Sequence, residues 1–197
     1  MSSFIGHTLA ALTLSTWEAP SRRGHWVWTA WLVVLALAPD VDYALSVLRL
    51  PGSPVIRLTH SLVGCLTLPG VTLVWLRLRG ERGAAWRAHA LQAAGAGLSH
   101  VLLDLLVGVT PAALLWPLSR ETFRLPFGVL PSAGRLKLSN PLFYRNLLIE
   151  LGVLVPLCVG FLLGREAGPR STRRVLLLGM LGLVSLSFMA WAASLPR

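Results

Sequence analysis

The chain has 197 residues, of which 54% are hydrophobic and 13% charged, with 18 basic residues against 8 acidic ones. Soluble domains carry about 25% charged residues, so the composition excludes an ordinary soluble fold and predicts an integral membrane protein. The formal charge of +10 resides mainly in short basic stretches between apolar runs. That pattern indicates lipid headgroup contact and topology, and no nucleic-acid partner is expected.

The length allows one membrane-embedded domain, residues 1–197, of no more than about six spans of roughly 20 residues each. The expected fold is all-α, a polytopic transmembrane helical bundle with five or six membrane segments and one re-entrant or interfacial connection. Cys65 and Cys158 both lie in apolar runs without CxxC spacing, so no disulfide framework is expected. The first residues lack a basic stretch and a small-residue cleavage site, so no cleavable signal peptide is expected.

Residues 3–17 form a modestly apolar segment, closed by Pro20 and the Arg22-Arg23 pair. A second apolar segment runs from His25 to about Ala38 and meets Pro39-Asp40-Val41-Asp42. Proline removes a backbone donor there, which predicts a break, with helix resuming toward Leu48 before the turn Pro51-Gly52-Ser53-Pro54. Thr59-His60-Ser61 opens a third segment reaching about Leu78, interrupted by Pro69-Gly70.

The fourth segment, about 84–109, is rich in alanine and glycine at positions 93–97. Small residues let helices approach closely in lipid, which places this helix in the middle of the bundle. Residues 110–142 form a long connection with five prolines and the bases Arg120, Arg124, Arg135 and Lys137. Two further spans follow, about 143–164 with Glu150 and about 174–195.

His100 and Asp104 stand one helical turn apart and so share a face of the fourth segment. An imidazole and a carboxylate in such a segment are costly to bury without a partner. With six alternating crossings, His7, Asp40, Asp42, His60, His100, Asp104 and Glu150 all fall at one end of the bundle. The only three aspartates of the chain are in this set. Adjacent carboxylates repel unless a cation lies between them. Mixed imidazole and carboxylate ligands suit zinc above all, with manganese or iron as alternatives, and fit a catalytic site better than a structural one.

Gly6-His7, Pro39-Asp40-Val41-Asp42, Thr59-His60-Ser61-Leu62 and Leu98-Ser99-His100 through Asp104 occur in that order. Together with Pro111 to Pro117 and Phe123-Arg124-Leu125-Pro126, they resemble the motifs of the inner-membrane metal-dependent hydrolases. That family is also described as LexA-binding, inner-membrane-associated hydrolases. The resemblance covers about residues 5–130. It departs at Tyr43 and Val55, where the family often carries histidine.

Residues and resemblance together lead to a membrane-bound metal-dependent hydrolase of unknown substrate, a phosphoester or a lipid-derived molecule. His7, Asp40, Asp42, His60, His100 and Asp104 are the expected divalent-metal ligands. Asp42 or Asp104 would accept the proton of the attacking water, and Arg120 and Arg124 would hold an anionic substrate. The alternative is a non-enzymatic protein that binds or conducts a cation or proton through the same cluster. The expected location is the inner membrane, in contact with its lipids.

Overall fold

The computed structural model describes residues 3–17, 24–43, 58–108, 111–132, 139–165 and 171–195. The expected helix toward Leu48, the turn at Pro51–Pro54, Val55, the Arg22-Arg23 pair, Arg135 and Lys137 lie outside these residues. Among the described residues the fold is all-helical. Its α-helices are α1 (Phe4–Ser15), α2 (His25–Leu37), α3 (Leu62–Leu78), α4 (Gly83–Val107), α5 (Pro141–Arg165) and α6 (Thr172–Ser194).

Among the described residues three helices, α4, α5 and α6, are long and apolar enough to cross a membrane. By rise per residue, the 12-residue α1 and 17-residue α3 measure about 18 Å and 26 Å, short of a hydrocarbon core of about 30 Å. Both pack against α4. The central helix is α4, which packs against α1, α2 and α3, while α5 and α6 pack on each other and α5 touches α1.

Several helices begin at a serine whose hydroxyl accepts from a first-turn amide, which satisfies a donor the helix itself cannot. Ser3 Oγ accepts from the Gly6 amide at 3.1 Å and Ser61 Oγ from the Gly64 amide at 2.9 Å. At the Pro39 break α2 passes into a 3₁₀ turn, Ala38–Tyr43, and a second 3₁₀ turn, Leu58–His60, leads into α3. The predicted interruption is therefore a change of helix type that carries both aspartates.

Two glycines approach the main chain of a neighbouring segment too closely for any side chain. Pro69 has no N–H for the Cys65 carbonyl, and Gly97 of α4 packs against that carbonyl. A Cβ at position 97 would stand 2.3 Å from it and 2.9 Å from Pro69 Cγ. A Cβ at Gly64 would stand 2.4 Å from the Leu58 carbonyl, so only glycine lets the Leu58–His60 turn fold onto α3.

The connection after α4 contains no helix among its described residues, 111–132. Ala112 and Phe123 exchange amide–carbonyl bonds of 2.9 and 2.8 Å, the Leu62 amide donates to Leu114, and the Val129 and Leu130 amides donate to Leu106. The segment thus covers the C-terminal end of α4 and the start of α3. At the far end of the bundle, Gln92 Nε2 donates to the Leu14, Ser15 and Trp17 carbonyls, and its Oε1 accepts from Trp28 Nε1 at 2.6 Å. One amide side chain on α4 thereby closes the C-terminus of α1 and holds α2.

Candidate metal centre

His7 on α1, Asp40 and Asp42 on the first 3₁₀ turn, His60 at the end of the second, and His100 and Asp104 on α4 come together. All six are buried, none more than 9% exposed. They are delivered by four separate elements, so their proximity is a property of the packing.

The geometry centres on His60 and His100. Their Nε2 atoms are 3.1 Å apart. Asp40 Oδ1 stands 3.5 Å from His60 Nε2 and 3.7 Å from His100 Nε2. Asp104 Oδ2 stands 3.5 and 3.8 Å from the same two nitrogens. Ligand atoms at about 2.0–2.1 Å from one tetrahedral ion stand roughly 3.3–3.4 Å from each other. The five observed separations, 3.1 to 3.8 Å, bracket that value.

Main-chain chemistry fixes the tautomer of His100. Its Nδ1 is 2.7 Å from the Ala36 carbonyl, which only accepts, so Nδ1 carries the proton. In the neutral ring Nε2 is then a lone pair aimed into the cluster. This is the usual arrangement behind a metal-bound imidazole. His60 is oriented from behind in a similar way. Its Nδ1 is 3.0 Å from Thr59 Oγ1 and 4.0 Å from Asp42 Oδ2. Asp42 therefore stands on the far side of the His60 ring from the other donors.

His7 lies on the opposite flank. It stacks on His100 with ring centroids 4.0 Å apart and planes inclined by 12°, and its Nε2 is 3.7 Å from Asp104 Oδ1. Both of its ring nitrogens are buried with no hydrogen-bond partner among the described residues. A buried imidazole normally satisfies at least one of them, so His7 carries unused ligand capacity. Two triads, His7–His100–Asp104 and Asp40–His60–His100, each bring their ligand atoms within 4.8 Å of one another.

The remaining expected residues fall outside this core. Glu150 is buried, and its Oε1 accepts from the Ser3 amide at 2.8 Å, which anchors the start of α1 one turn before His7. Arg120 and Arg124 are exposed on the connection over the site end of α4. Sequence reasoning missed the Ala36 carbonyl and Thr59, since a main-chain acceptor leaves no mark in the sequence and a threonine before a histidine reads as a helix cap.

The family model for the YdjM inner membrane protein matches residues 1–194. The chain belongs to the YdjM inner membrane protein family. Together with the three long apolar helices, this makes it an integral inner-membrane protein in contact with membrane lipids. Comparison with curated proteins and with solved structures gives no match. The match to the YdjM model spans the whole helical bundle, so the cluster described above lies within the family's domain.

Proposed function

We propose that this YdjM family member is a membrane-embedded, metal-dependent hydrolase, as its resemblance to the LexA-binding hydrolases implies. In this reading α1–α3 complete a bundle of five or six membrane segments. The supporting observation is the meeting of two imidazole nitrogens and two carboxylate oxygens in a buried cluster, one imidazole having its proton fixed on the far side. His60, His100, Asp40 and Asp104 would hold a divalent cation, zinc first among the candidates, with His7 beside them. When bound, such an ion supplies Lewis acidity and a water that is nucleophilic near neutral pH.

The chain's own residues then divide the work. Thr59 Oγ1, 3.0 Å from His60 Nδ1, holds that ring from behind, with the Asp42 carboxylate beside it at 4.0 Å. Asp104 presents one oxygen to His60 and His100 and the other toward His7, so it is the carboxylate placed to accept a proton from water. Arg120 and Arg124 offer guanidinium groups to an anionic substrate, a phosphoester or a lipid-derived ester, arriving at that end of the bundle.

A second reading is favoured by the continuous contact from His7 through His100 to His60. In it the same cluster binds or passes a cation or proton without chemistry. Metal content of the purified protein, and hydrolysis of a panel of phosphoesters and lipid esters, separate the two. The hydrolase reading expects bound metal and turnover, both lost in His100→Ala. Metal-free protein that binds no added zinc, manganese or iron, or turnover untouched by His100→Ala, overturns it.

A further inference from the structure

An apolar groove of about 740 Å³ runs along α4 between α1 and α5, and nothing in the proposed chemistry uses it. Its size lies in the range of small-molecule pockets, about 300–1,000 Å³. It extends from Leu105, Leu62 and Leu114 at the site end to Gly95, Leu14 and Phe161. On α4 the ten steps from Leu105 back to Gly95 rise about 15 Å. That equals the depth of one leaflet, half of a hydrocarbon core of about 30 Å.

The lining is hydrocarbon in character. Its two hydroxyls are spent locally, Thr13 donating to the Leu9 carbonyl and Ser99 to the Ala96 carbonyl, each at 2.8 Å. A peptide strand laid there would find no partners for its amides and carbonyls, which is prohibitive in lipid. Leu102, Leu157 and Phe161 are 56%, 45% and 38% exposed, so the groove opens from the surface that α4 and α5 present to the bilayer. It is continuous with the protein–lipid interface.

We infer that this groove is a binding site for one acyl chain of a diacyl phospholipid. The lipid belongs to the leaflet at the metal-centre end, with its headgroup beside the connection that carries Arg120 and Arg124. This site is distinct from the metal cluster, and its occupancy is read without turnover.

The test uses the full chain in vesicles of phosphatidylethanolamine and phosphatidylglycerol, doped with a phosphatidylglycerol carrying a photoactivatable acyl chain. Cross-linked peptides are mapped by mass spectrometry, in the unsubstituted protein and in His100→Ala. Labelling at the groove residues of α4 and α5 should exceed that at Leu183 and Leu186, the lipid-facing residues of α6, by about tenfold, equivalent to about 1.4 kcal/mol of preference. Leu102→Trp and Gly95→Leu, which fill the groove at different depths, should each remove the excess. Equal labelling of α4 and α6 in the unsubstituted protein overturns the inference, as does an excess that survives both filled variants. Failure of the hydrolase reading leaves this result unchanged, because His100→Ala must label like the parent.

Discussion

His60 and His100, forty residues apart in the chain, bring their Nε2 atoms to 3.1 Å. The Ala36 carbonyl on Nδ1 leaves the His100 nitrogen as an acceptor. Either His60 donates to it or a cation lies between them. Substituting either ring therefore has different consequences for a hydrogen-bonded pair and for a metal centre.

If a cation joins the two rings, His60→Ala and His100→Ala each lower zinc affinity by at least about tenfold, the scale of losing even an outer-shell partner. Calorimetric titration of zinc into metal-stripped protein reads this directly. Equal affinity in parent and variants means the pair is only structural.

Asp42→Asn keeps the shape behind His60 but removes the carboxylate charge. Its expected effect is a loss of metal affinity of about 10–100-fold with the fold intact, whereas Asp40→Asn exchanges an anionic ligand for a neutral amide and costs more. Affinities in the reverse order would place Asp42 among the ligands and Asp40 behind them.

Gly97→Ala puts a methyl group against the Cys65 carbonyl and Pro69. Overpacking of this kind costs about 1–3 kcal/mol, and here it parts the helix that carries His100 from α3 and from the 3₁₀ turn before it, which carries His60. Thermal unfolding in detergent should shift downward and metal content should fall with it. A variant with unchanged stability and unchanged metal content would show that the close approach is dispensable.

Glu150→Gln weakens the acceptor for the Ser3 amide. A hydrogen bond to a charged group is worth about 1.5–3 kcal/mol, so the start of α1 should exchange its amide hydrogens faster. Hydrogen exchange confined to the first turns of α1 is the expected signature. No change there would assign the buried carboxylate another task.

Arg77, Arg79, Arg82 and Arg87 lie at the α3–α4 turn, while Arg165 donates to Thr16 at the far end of α1 and Arg173 and Arg174 open α6. These bases sit at the end of the bundle opposite the His60–His100 cluster. Basic loops stay on the cytoplasmic side, so the cluster should open toward the outer side of the membrane. Cysteine labelling at position 120 by a membrane-impermeant reagent in intact cells checks this, and protection there with labelling at position 79 would reverse the orientation.

Much of the bundle was legible in the sequence because apolar run length and proline position constrain a chain in lipid whatever its neighbours do. The segments at 3–17, 25–38, 84–109, 143–164 and 174–195 correspond to α1, α2, α4, α5 and α6, and the break at Pro39 is where α2 gives way to a 3₁₀ turn. The expectation that His7, Asp40, Asp42, His60, His100, Asp104 and Glu150 share one end came from assuming six alternating crossings, and the structure brings the first six of them together. Helix spacing also placed His100 and Asp104 on one face, since each turn repeats every 3.6 residues.

What each group faces was settled only by the tertiary structure. The packing of the elements put Asp42 beside His60 Nδ1, left the His7 ring stacked with its nitrogens lacking a hydrogen-bond partner among the described residues, and turned Glu150 toward the Ser3 amide. The His100 tautomer was set by a main-chain carbonyl that every residue possesses and no sequence pattern marks. One-dimensional spacing fixes where a side chain stands along its own helix. Its partner across the bundle depends on helix contacts such as the one at Gly97, which only the packed structure reveals.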